Sequence, residues 1–219
     1  MPRNRRYQRR IPVKRPTPPS PTPAPPTDAI TRINDLTRVG KATWFGLLAY
    51  LVFAFVTLLG VQDADFFVSA RETTLPLIGV DIPTFSFFAF APALGAALYV
   101  YLHLHIRKVI EELTRDDLAT TDFKLEERIT PWLLNDAILL ARAKSRKEPL
   151  ITQRRMDWLV TTTTVTLIWL AGPFVQLAFW WRSVPANAEW MTMFLGLMFW
   201  ITCYAGLESW SFLRHSLGR

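Results

Sequence analysis

Cysteine occurs once in this chain of 219 residues, at Cys203, so no disulfide can form within it. Histidine occurs only at positions 103, 105 and 215, and no His, Cys, Asp or Glu pattern carries metal-ligand spacing. Phosphate-cradling glycine loops, a nucleophile elbow and a Ser-His-Asp arrangement are all missing from the sequence. Together these absences point away from an enzyme. Acidic residues are missing from the first 27 positions, which hold seven basic side chains and nine prolines. Lys, Arg, Asp and Glu are almost missing from four long stretches of the remainder.

What is present is apolar and basic. Half of the residues are hydrophobic, the formal net charge is +7 and the pI is near 9.9. The weakly charged stretches read as membrane spans at 43–61, 84–106, 157–181 and 190–213, each long enough for a bilayer. Of the 25 Lys and Arg residues, only Arg71 and Arg182 fall in the two connections assigned to the outside. Basic residues near span ends stay cytoplasmic, so both termini are expected inside. The expected fold is all-α: a polytopic membrane protein with four transmembrane helices, N-in/C-in, carrying amphipathic cytoplasmic helices between spans 2 and 3. The positive-inside rule and anionic lipid account for the basic excess without nucleic acid.

Residues 1–27 form a Pro/Arg-rich arm with P-x-x-P spacing from Pro16 to Pro19, Pro18 to Pro21 and Pro23 to Pro26, expected to be extended and either solvated or partner-bound. The basic pairs Arg5-Arg6 and Arg9-Arg10 lie too far before the first apolar run for a secretory signal, and the prolines oppose a transit-peptide helix. Residues 28–42 read as an interfacial segment leading into the first span, with Trp44 at headgroup depth. The connection Gln62–Pro83 is acidic yet apolar, which suggests an interfacial hairpin. Ala91 and Gly95, and Ala93 and Ala97, put small residues on faces of the second span, where Pro92 is expected to kink or restart the helix. The cytoplasmic insertion 107–156 continues the second span and then begins a second amphipathic helix, with Thr130-Pro131 as its start signal. The threonines 161–164 and 166 are tolerable in lipid because their hydroxyls bond to the preceding turn.

Ionisable side chains inside a membrane are the first place to look for function. Glu208 lies in the cytoplasmic third of the last span, and His103 and Arg107 fall at similar depth, which makes His103, Arg107 and Glu208 a candidate intramembrane polar cluster. No metal is expected. A haem or single-histidine pigment would have to use His103, because His103 and His105 point to opposite faces and His215 lies beyond the span. A transporter or channel would have to use Glu208, one carboxylate where a relay needs several.

Several phrases also resemble one membrane module. They are Thr43-Trp44-Phe45-Gly46-Leu47-Leu48, Leu59-Gly60-Val61-Gln62-Asp63-Ala64-Asp65-Phe66-Phe67, Thr74 through Val80, Ala97 through Leu104, and Gly172-Pro173 on to Trp180-Trp181-Arg182-Ser183-Val184-Pro185 and Glu189-Trp190-Met191-Thr192. Residues 40–210 are similar to the four-span part of proteobacterial pentapeptide-repeat membrane proteins. Those relatives carry five-residue repeats beyond the module, and none follow here, so the repeat domain's role does not transfer. The resemblance implies a bacterial inner-membrane module without catalysis of its own. The leading reading is a non-enzymatic accessory or scaffolding subunit that docks on a larger membrane complex, respiratory or photosynthetic in kind. Arg5, Arg6, Arg9, Arg10, Lys14 and Arg15 are the expected partner contacts.

Overall fold

The computed structural model describes residues 27–62, 72–74, 79, 81–114, 128–145 and 154–217. The partner contacts expected on the arm lie outside the described residues. The element order is α1 (Thr27–Gly60), β1 (Glu72–Thr74), β2 (Asp81–Pro83), α2 (Thr84–Leu113), α3 (Leu133–Ser145), α4 (Arg154–Val165), a π turn (Thr166–Leu170), α5 (Ala171–Ser183) and α6 (Glu189–Leu217). Four helical stretches are long and apolar enough to cross a membrane: Ala29–Gly60, Thr84–Leu113, Trp158–Ala186 and Glu189–Leu217. The fold is all-α apart from one antiparallel pair of short strands between α1 and α2, where Thr73 faces Ile82.

The interfacial segment at 28–42 and the first span are consecutive turns of one helix, α1. Its inward stripe runs Ile33, Thr37, Trp44, Leu47, Leu51 and Ala54, spacings of three, four and seven that keep one face on the core. Trp44 is therefore 6% exposed, turned into the bundle three residues from Lys41. Gly40 lies on the same stripe, where a Cβ would come within 3.2 Å of the Trp132 ring, so its lack of a side chain admits that indole. Pro92 sits inside the continuous helix α2. Its neighbours' backbone is used by adjacent helices: Tyr50 donates to the Ala91 carbonyl at 2.5 Å and Gln176 to the Pro92 carbonyl at 2.8 Å. Gly95 permits this crossing, since a Cβ there would come within 3.1 Å of Gln176 and 3.2 Å of Tyr50. The close-packed face is thus that of Ala91 and Gly95, whereas Ala97 is exposed.

Contacts between helices fix their relative depth. Around the bundle the order is α1, α2, α6, α5, with α1 and α6 at opposite corners. Tyr50 lies beside Ala91 and Gly95, Tyr99 beside Gly172 and Gly206, and His103 beside Ser209. Arg182 donates to the Val61 carbonyl at the other end, closing the C-terminus of α1 with a cation. On this register Lys41, Arg107 and Glu208 mark one boundary, and Arg182 and Glu189 mark the other. Ala42–Val61 and Trp190–Leu207 between them carry no charge, and the former's 20 residues span about 30 Å, the thickness of a hydrocarbon core. The third helical stretch able to cross, Trp158–Ala186, takes in nearly all of the 157–181 expected from hydropathy. Of the threonines 161–164, Thr164 is buried, and its hydroxyl donates to the Leu133 carbonyl of α3 at 3.3 Å.

The helices continue past the charged boundary on the side of Thr27 and Leu217. There α1, α2 and α3 continue the bundle's single core with Ile33, Val109, Ile110, Leu113, Leu134 and Ile138. Asn34 ties it together: it accepts from the Thr130 amide at 2.8 Å and donates to the Arg128 carbonyl at 3.1 Å. Asn135 donates to the Thr37 hydroxyl at 3.0 Å, and Arg32 pairs with Glu112 at 3.2 Å. Thr130 is spent on Asn34, so it does not cap α3, which starts at Leu133 rather than at Pro131.

Candidate functional site

The most constrained place in the bundle is where α2 crosses the third long helix. Pro173 has no N–H to give the carbonyl four residues back, Trp169, and its ring crowds that carbonyl. The chain answers with the π turn Thr166–Leu170, and the Tyr99 hydroxyl donates to the stranded Trp169 carbonyl at 2.9 Å. Tyr99 reaches it because Gly172 has no side chain: a Cβ there would lie 2.3 Å from the tyrosine ring. On the opposite side a Cβ on Gly206 would lie 2.8 Å from the Tyr99 oxygen. Two glycines from two helices thus thread one aromatic ring.

His103 lies one turn further along α2, 2% exposed, with its ring 4.2 Å from that of Tyr99 and edge-on to Trp169 at 6.0 Å. Trp169 in turn meets Trp210 edge-on at 5.4 Å. Nδ1 of His103 shares a hydrogen bond with Ser209 Oγ at 2.9 Å. Its Nε2 is buried without a hydrogen-bond partner among the described residues.

The structure brings the three expected polar residues to one patch but pairs them in two units. Arg107 donates to Glu208, with its guanidinium 4.8 Å from the centre of the Phe212 ring. His103 takes the next residue, Ser209, and not Glu208. The ion pair is partly exposed at the charged boundary, where such pairs contribute little stability. His105 faces away, edge-on to Tyr101 at 4.7 Å, and His215 is exposed. Among the described residues no three His, Cys, Asp or Glu side chains are grouped to hold a metal ion.

Tyr99, Trp169, Ser209 and Gly206 were not singled out from the sequence. The one available signal was the Gly172-Pro173 pair, which marks a disturbed helix. A second feature is a groove of about 620 Å³ between α1 and α5, lined by Phe55, Leu58, Phe174, Leu177, Trp181 and Arg182. No family model matches the chain, and neither a curated protein nor a solved structure matches it.

Proposed function

We propose that the chain is a non-enzymatic accessory or scaffolding subunit of a bacterial inner membrane, docking on a larger membrane complex. One observation carries the reading: the helices continue past the level of Lys41, Arg107 and Glu208 as a packed platform on the side of Thr27 and Leu217. The core around Ile33, Ile110 and Leu134 and the Asn34 and Asn135 hydrogen bonds hold that platform rigid. The basic arm, with Arg5, Arg6, Arg9, Arg10, Lys14 and Arg15, joins it at the start of α1. A partner with an acidic surface at the membrane is the chemistry that platform and arm together fit.

The interior supports a structural role over transport. Tyr99 fills the middle of the bundle between Gly172 and Gly206, and the one carboxylate near it is paired with Arg107. The likeness of residues 40–210 to the membrane module of pentapeptide-repeat proteins agrees with a module that carries no catalysis. Deleting residues 2–27 and purifying in mild detergent tests the docking. Loss of co-purifying subunits is the expected result, and their retention at full stoichiometry sinks the arm's role.

A further inference from the structure

The outward face of α6 has the wrong chemistry for lipid. Trp200 and Tyr204 are 63% and 70% exposed, flanked along the same stripe by Met193, Leu197 and Leu207. Trp200 lies within one turn of the middle of the charge-free run Trp190–Leu207, and Tyr204 lies one turn closer to Glu208. Helical side chains tilt toward the N-terminus, which for α6 is the Glu189 end. The Tyr204 hydroxyl is therefore aimed at the middle of the bilayer and away from the nearer boundary. Trp and Tyr belong at membrane interfaces, where N–H and O–H find water, and at mid-depth each needs an acceptor supplied by protein.

The complementary surface is on the opposite corner of the bundle. Ala42, Gly46 and Ala49 are exposed at helical spacing on α1, between Phe45 and Val52, and a Cβ on Gly46 would meet nothing within 4 Å. Through the Tyr50 crossing to α2 and the Tyr99 and His103 crossings from α2 to α6, Ala49 is level with Trp200 and Gly46 is level with Tyr204. Two copies inserted the same way share every depth, whatever the rotation between them. Small residues let backbones approach closely, and the carbonyls they uncover keep a second lone pair for a donor. We propose that copies of this chain associate through these two faces, Trp200 and Tyr204 of one copy seated on Ala42, Gly46 and Ala49 of the next. Because α1 and α6 sit at opposite corners, the contact is heterologous and builds a ring or a row in the membrane plane. The association does not depend on where the basic arm docks.

The test uses the full chain in liposomes, in a Cys203→Ser background. Gly46→Cys chains and Tyr204→Cys chains, mixed and oxidised, are expected to form disulfide-linked dimers, and either alone to form few. Cross-linking of Tyr204→Cys chains with each other at the mixture's rate overturns the proposal in favour of a face-to-face contact. In the unsubstituted chain, Gly46→Leu is expected to weaken association roughly tenfold. Its thermal unfolding in detergent should be unchanged, because the added atoms meet nothing in the same copy. Trp200→Leu should weaken association similarly, as a second check. A monomer at every protein-to-lipid ratio, including one that binds some other membrane protein, overturns the idea. So does association undiminished by both substitutions.

Discussion

At the scale of single residues, the bundle turns on Tyr99. Its ring occupies the space that side chains at Gly172 and Gly206 would take, so Gly172→Ala drives a methyl to 2.3 Å from ring carbon in a packed interior. Overpacking of this kind costs about 1–3 kcal/mol, and a fall in the thermal midpoint of the purified chain is the expected outcome. Tyr99→Phe keeps the ring and removes only the donor to the Trp169 carbonyl. Hydrogen bonds inside membrane bundles average about 0.6 kcal/mol in mutant cycles, because the unfolded helices find other partners. Tyr99→Phe should therefore be the milder variant, and a larger loss than for Gly172→Ala would contradict this account of the crossing. None of this was legible in the sequence beyond Gly172-Pro173 itself. A disturbed helix shows locally, whereas the side chain that repairs it sits 70 positions away and carries no local mark. The same holds for His103: its depth was readable, but its choice of Ser209 over Glu208 depends on which face of α6 turns inward.

At the scale of elements, charge-free runs located the four long helices, since burial in lipid imposes a length and a composition that hydropathy records directly. Their ends were less readable. Apolar and hydroxyl residues serve equally well in lipid and in a helix packed on protein, so the run from Trp158 gave no sign of where the third helix leaves the membrane. The hydrogen bond from Thr164 to α3 shows that this stretch packs on protein. The π turn allows a sharper test, because a π turn is an α-helix with one residue inserted. Removing the exposed Leu170 together with Pro173→Ala should convert it to regular helix while the flanking registers survive. Trp169 then stays near His103, and Phe179 stays packed on Phe87 and Phe88. Removing Ala178 from the regular part of α5 instead turns everything on one side by about 100°. The first variant should elute from size exclusion as a folded species and the second should aggregate.

At the scale of the whole molecule, depth and charge have to agree. The contacts between helices place Lys41, Arg107 and Glu208 at one boundary and Arg182 and Glu189 at the other, without reference to any rule about insertion. The first boundary also carries the platform, with Arg32, Arg38 and Arg128, so the basic side of the molecule and its protruding side coincide. The proposal that Lys and Arg are retained in the cytoplasm puts the platform inside and the turn after α5 outside. Asn187 sits in that turn, in the left-handed conformation that asparagine tolerates and at the opposite end from Thr31 of α1. In a Cys203→Ser background, Asn187→Cys should react with a membrane-impermeant thiol reagent added to intact spheroplasts. Thr31→Cys should react only after the membrane is opened. The reverse pattern would put the platform outside and separate the basic excess from orientation. It would also remove the cytoplasmic face on which the arm and any partner are proposed to meet.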